Sequence, residues 1–159
     1  SCAAGAPTAL EACVMLDGDA DASNDCANGQ ISVDPPHSDL RVTLFNEPDS
    51  AMGCSQIGWS VRVRNHGNIA STATCFRTGI NCSAGQGQWS CNLGMDARSI
   101  PALEPGQVEE YSFIYEIPCW APQVQQWLKV EIGSMPGCFD ACPAGNFVER
   151  PLQITPQTK

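Results

Sequence analysis

Positive charge is scarce in this chain. Its 159 residues carry 8 Lys and Arg against 17 Asp and Glu, a formal net charge of -9. A phosphate backbone or an anionic membrane surface would be repelled, which argues against nucleic acid as a partner. Long apolar runs are also missing, so no membrane span is expected. Charged residues total only 16%, and 14 Gly, 12 Pro and 10 Cys are spread along the whole length. That pattern excludes a coiled coil, collagen and wholesale disorder. The common catalytic motifs are absent as well: there is no Gly-x-Ser-x-Gly, no His-Glu-x-x-His and no phosphate-cradling glycine loop ahead of a helix. Of the two histidines, His37 follows Pro35-Pro36 and reads as a linker residue, while His66 sits beside Gly67 and reads as part of a turn. No nucleophile, base and orienting group are suggested together, and a non-enzymatic protein is expected.

What is abundant is cysteine. Cys2, Cys13, Cys26, Cys54, Cys75, Cys82, Cys91, Cys119, Cys138 and Cys142 make an even set at a density foreign to reduced cytosolic proteins. No C-x-x-C pair is present and neither histidine stands at ligand spacing from a cysteine, so disulfides in an oxidising compartment are expected rather than zinc. Connectivity stays open, although Cys82 with Cys91 and Cys138 with Cys142 would each close a short loop. Ser1-Cys2 is similar to the junction at which bacterial lipoproteins are cut, but lipidating Cys2 would leave an odd number of thiols. A secreted protein in its mature form is the expectation.

Charge divides the chain. Residues 1–50 hold nine acidic groups and one basic group, Arg41, whereas residues 51–159 hold eight acidic and seven basic. The first 36 residues are poor in large hydrophobics and read as a stapled extension with one short helix around Ala9 to Leu16. From Asp39 the hydrophobic period becomes two. Leu40, Val42 and Leu44 alternate with Arg41 and Thr43, and Ile57, Trp59, Val61 and Val63 with Gly58, Ser60, Arg62 and Arg64. Tyr111, Phe113, Tyr115 and Ile117 repeat the pattern, as do Leu128, Val130 and Ile132 against Lys129 and Glu131. Such alternation marks half-buried antiparallel strands. Strands are expected at 39–46, 57–65, 72–77, 97–100, 108–117, 127–133 and 147–154. Together they predict an all-β, seven-stranded antiparallel sandwich over residues 37–159, with a disulfide-stapled extension over 1–36.

The order Asp39-Leu-Arg-Val-Thr43, Val61-Arg-Val-Arg-Asn65-His-Gly67-Asn68 and Ile100-Pro-Ala-Leu103-Glu-Pro105-Gly106-Gln resembles the CARDB-like branch of bacterial and archaeal Ig-like sandwiches. The resemblance spans roughly residues 39–154. The Asn-x-Gly-Asn turn is expected to need positive φ, and the Leu-x-Pro-Gly corner to fix a crossover between sheets. The chain departs from that pattern in the cysteine-bearing insert from Asn81 to Asp96, in lacking an acidic, Asn-rich last hairpin, and in the N-terminal extension. The resemblance implies a non-enzymatic Ig-like module of cell-surface or secreted proteins.

Two further features carry chemistry. Asp17, Asp19, Asp21 and Asp25, with Ser23 between the last two, alternate as oxygen ligands do in dockerin-like or thrombospondin-type-3-like calcium loops. Ala22 replaces the turn glycine and Asn28 the bidentate Glu, so calcium affinity should fall in the weak range of roughly 10⁻⁴ to 10⁻³ M. The competing reading is a solvated Asp-rich linker. Trp89, Trp120 and Trp127 fall outside the alternating core set; each is a candidate to stack on carbohydrate, to anchor a protein interface, or to cap the sandwich. Asn81-Cys-Ser83 formally matches an N-glycosylation acceptor. Two functions follow: a surface subunit that assembles with copies of itself or other cell-surface proteins by strand-edge pairing through the N-terminal arm or the C-terminal strand, and a carbohydrate-binding module.

Overall fold

The computed structural model describes residues 7–14, 26–89, 93–122, 124–133, 135–138, 140, 142 and 145–156. The chain divides into two compact units, Ser1–Pro36 and His37–Lys159. The described residues are all-β and contain no helix.

In the first unit, β1 (Pro7–Cys13) and β2 (Cys26–Ser32) form an antiparallel hairpin with seven paired positions, from Pro7 opposite Ser32 to Cys13 opposite Cys26. A disulfide joins Cys13 to Cys26 at the last pair. The helix expected around Ala9 to Leu16 is thus replaced by a strand over the part that is described. Thr8, Leu10 and Ala12 alternate with Ala9, Glu11 and Cys13, a period of two that suits a paired strand once a bridge fixes its register.

The second unit is a sandwich. Its strands are β3 (Leu40–Phe45), β4 (Ser50–Met52), β5 (Gln56–Asn65), β6 (Thr74–Asn81), β7 (Gly94–Ile100), β8 (Val108–Glu116), β9 (Gln125–Ile132) and β10 (Phe147–Thr155). Three strands pair in the order β3-β5-β8 and five in the order β4-β10-β9-β6-β7. The eighth strand, β4, was not expected; three residues long, it pairs parallel with the end of β10, and every other pairing is antiparallel. The expected inner residues Leu40, Val42, Leu44, Ile57, Trp59, Val61, Val63, Phe113 and Ile117 are all buried. Each such side chain contributes about 1.5–3 kcal/mol relative to an exposed one. Phe76 packs edge-on against Tyr111 and Phe113, at 4.9 and 5.9 Å between ring centres, and Trp59 stacks on Phe113 at 5.6 Å. The Trp59 indole N–H donates to the Thr78 hydroxyl, which in turn donates to the Lys129 carbonyl, so these two buried polar groups are served across the two sheets.

The two corner motifs meet on one side chain. Asn65 is fully buried; its Oδ1 accepts from the Gly67 and Asp39 amides at 2.8 and 3.2 Å, and its Nδ2 donates to the Ile69 and Leu103 carbonyls at 2.8 and 2.9 Å. Its backbone also exchanges bonds with Gly106 and Gln107. Gly106 holds φ at +80°, as the Leu-x-Pro-Gly corner requires. The expectation for the other turn is corrected: Gly67 is not among the positive-φ residues, and glycine is needed there because a Cβ would run into the His37 carbonyl and the Ser38 and Asp39 backbone.

Candidate functional site

The cysteine-bearing insert covers the outer face of the five-stranded sheet, where Lys129 and Glu131 were expected to meet water. Both are buried, at 0% and 5% exposure. Lys129 Nζ donates to the Gly85 and Gln88 carbonyls at 3.0 and 2.9 Å and stands 3.8 Å from Glu149, while Glu149 accepts the Gly85 amide at 2.8 Å. Glu131 accepts from the Arg77 guanidinium and from the Trp89 indole, at 2.9 and 2.8 Å, and Arg77 stacks over the Trp89 ring at 4.3 Å. The register explains the grouping: Arg77 stands opposite Glu131 and Lys129 opposite Glu149 on neighbouring strands. Burial pushes the Lys129 ammonium below its ordinary 10.5; Glu149 and Glu131 oppose the shift and Arg77 adds to it. The signal for this cluster in the sequence was the length of the insert, long enough to fold back over the sheet and dehydrate the alternate residues of β9.

The tryptophans are therefore not equivalent. Trp89 is half-buried and engaged by Arg77 and Glu131. Trp127 is half-buried on β9, across from Asn81 and Pro151. Trp120 alone is open, at 73% exposure, beside the disulfide between Cys54 and Cys119. Asn81 is buried and its Oδ1 accepts the Ser83 amide, so the side chain is not presented for glycosylation.

A third disulfide joins Cys75 to Cys138 and corrects the suggested Cys138 to Cys142 loop. Cys82 and Cys142 are also disulfide-bonded, and no described cysteine is free. Cys2 and Cys91 lie outside the described residues, as do Asp17, Asp19, Asp21, Ser23 and Asp25. Glu11, Cys13 and Cys26 gather closely enough for a metal, but the two sulfurs are bonded to each other and offer no thiolate. His66 is exposed and gives its amide to the Asp39 carbonyl, and His37 accepts the Asn68 amide through its own carbonyl. A concavity of about 740 Å³ is lined by residues between 46 and 58 and by Thr155, with Glu47 as the sole titratable side chain among them.

Sheet edges are the remaining feature. The edge of β3 is closed, because Val42 and Leu40 give their amides to the Gly145 carbonyl and the Asp140 carboxylate. β10 is paired to β9 along most of its length and to β4 at its end, and Pro151, which has no amide hydrogen, falls where β4 does not reach. β7 and β8 each end a sheet. Between them opens a cleft of about 180 Å³ with Trp59 and Phe113 among its lining, flanked by Met95 and Ile114, which are 52% and 77% exposed.

No family model matches the chain and no curated protein matches it. Solved structures do. The CARDB domain of the PF1109 protein from Pyrococcus furiosus, in complex with di-metal ions, matches with a TM-score of 0.60 at 14% identity, over 79% of this chain and 100% of that one. A solution structure of the same domain matches with a TM-score of 0.55 at 16% identity, over 76% and 97%. A mutant β-glucosidase from Listeria innocua in complex with laminaribiose matches with a TM-score of 0.50 at 7% identity, but over only 17% of its own length. Together with the strand order and the two corner motifs, these likenesses give the chain a CARDB-like fold.

Proposed function

We propose that the protein is a non-enzymatic extracellular structural or adhesion module, a subunit that assembles with copies of itself or with other cell-surface proteins through its N-terminal arm. The observation that carries this reading is the hairpin. One of its faces presents Thr8, Leu10, Ala12, Ala27, Gly29 and Ile31 and the other Ala9, Glu11, Gln30, Asn28 and the disulfide. Every residue of both strands is exposed, including Leu10 at 52% and Ile31 at 45%, and Val14 and Val33 extend the apolar face at 61% and 63%. A two-stranded hairpin with one bare apolar face gains most by adding to another sheet. The C-terminal strand is already committed to its own sheet, which favours the arm as donor, with β7 and β8 among the end strands that could accept it. The described disulfides fit an oxidising, extracellular setting. Calcium on Asp17, Asp19, Asp21, Ser23 and Asp25 would stiffen the arm, a reading supported by their spacing. The test is light scattering with negative-stain microscopy of the non-reduced protein, with and without millimolar calcium. Ordered oligomers that vanish when residues 1–36 are removed support the reading, and a monomer under both conditions overturns it. In that case Trp120, the open indole, makes a glycan screen the next experiment.

A further inference from the structure

An open sheet edge is a template for another strand, and proteins blunt their edges with short strands, covering loops, Lys, Pro or bulges. Of the four end strands of the sandwich, β3 is covered at Leu40 and Val42, and β4 is three residues long. β7 carries one charge of each sign on its inner side, Asp96 paired with Arg98. β8 has none of these devices. Its nine residues pair with β5 at successive positions without a bulge and contain no Lys and no Pro. No described residue outside β5 bonds to its backbone, and Ile114 stands 77% exposed on it. The strand is also acidic, with Glu109, Glu110 and Glu116 and no base. Arg62 pairs with Glu110. Glu109 stands opposite Val63 and Glu116 opposite Gln56, whose amide it accepts, and neither carboxylate makes an ion pair among the described residues. On its inner side the edge borders the cleft of about 180 Å³ that Trp59, Phe113, Tyr115 and Met95 help to line. Pockets for small molecules begin at roughly 300 Å³, so this cleft leaves room for a side chain rather than a free ligand.

We infer that β8 is the docking edge for an extended segment of a different protein, one in which apolar residues alternate with Lys or Arg. The segment completes the backbone ladder along β8. Its inner side chains cover the cleft, and its outer ones lie against Glu110, Ser112, Ile114 and Glu116. The charge of the edge selects the partner. A second β8 would bring three more carboxylates and no cation, and the described strands of the hairpin carry Glu11 and no base. Neither complements an acidic edge, whereas Lys or Arg at the outer positions meets Glu116 and the half-exposed Glu110. The inference goes beyond the assembly reading above, because the segment belongs to another protein and the arm takes no part.

The test is a peptide titration of the full oxidised chain, followed by amide shifts in nuclear magnetic resonance and by calorimetry. The probe is a nine-residue peptide in which Val and Leu alternate with Lys; its counterparts carry Glu in place of Lys, or N-methyl groups on the backbone amides. The Lys peptide is expected to shift the amides of Val108–Glu116 and the Trp59 indole. The Glu peptide is expected to bind at least about tenfold more weakly at low salt, with the gap narrowing as salt is added. The N-methylated peptide, which has no ladder donors, is expected not to bind. Ile114→Lys should weaken the Lys peptide about tenfold, with Ser112→Lys as a second variant, while Ala97→Lys on β7 leaves it unchanged. All three positions are exposed, and near-wild-type melting shows that each variant folds. No shift at about 1 mM Lys peptide, equal binding of the Glu or N-methylated peptide, or shifts confined to β7 overturns the inference. Because the probe is a peptide and not a second copy, such a failure leaves the assembly reading standing, and a chain that is monomeric alone still tests this edge.

Discussion

Asn65 shows how much one side chain can hold. Both ends of its amide are satisfied, by its own turn and by two segments distant in sequence, and the donor end faces two carbonyl oxygens. Asn65→Asp keeps the shape and replaces that donor with a third acceptor, so a loss of about 3 kcal/mol is expected, read as a lower midpoint in urea unfolding. Lys129 makes the opposite kind of statement. Its ammonium gives up its proton more readily in the folded state than in the unfolded one, so just below 10.5 the unfolded chain binds more protons. Stability should therefore rise with pH in the window just below 10.5, and that rise should disappear in Lys129→Met. Tyr111 and Tyr115, whose phenols are raised by burial, act in the other direction above their ordinary 10.0, so the comparison must be made between the two proteins at each pH. The same substitution frees the Gly85 and Gln88 carbonyls, and faster amide exchange through the insert is expected with it.

At the scale of the element, close approach explains glycines that periodicity could not. A Cβ on Gly79 would enter the Gly94 carbonyl on the neighbouring strand, and a Cβ on Gly94 would enter the Tyr115 ring. Gly79→Ala meets backbone, which cannot swing aside, and should cost about 2 kcal/mol, more than Gly94→Ala, where a ring can turn; thermal melts of the two variants check the order. Seven of the eight described strands of the sandwich were legible because half-buried strands advertise their inner face every second residue, as Leu40 to Leu44 and Ile57 to Val63 do. β4 was not, since three residues carry no period. β1 was misread because Ala9 to Leu16 is short and rich in helix formers, and propensity yields to a bridged partner strand. The outer face of β9 was misread for another reason: alternation tells which side of a strand a residue occupies, not whether a loop will later cover that side. The free edges and the bare hairpin face, on which the proposed assembly rests, are properties of pairing and have no local signature.

For the molecule as a whole, long-range bridges matter more than the short loops that spacing alone suggests. Cys75 and Cys138 are separated by 63 residues and Cys54 and Cys119 by 65. In the chain-entropy view each is worth about 4 kcal/mol, so Cys75→Ala with Cys138→Ala should lower the unfolding free energy by roughly that amount while leaving far-ultraviolet dichroism unchanged at room temperature. The placement of β10 has a consequence in time. It enters its sheet between β4 and β9, although it comes after both in the chain and is synthesised later than either. Until residues 147–155 emerge, β9 has no partner on that side and the sheet ends in a bare apolar ladder. A chain that folded before then would be vulnerable to sticking to its neighbours, so closure waits for β10, and a truncation before Phe147 should yield aggregates rather than a smaller sandwich.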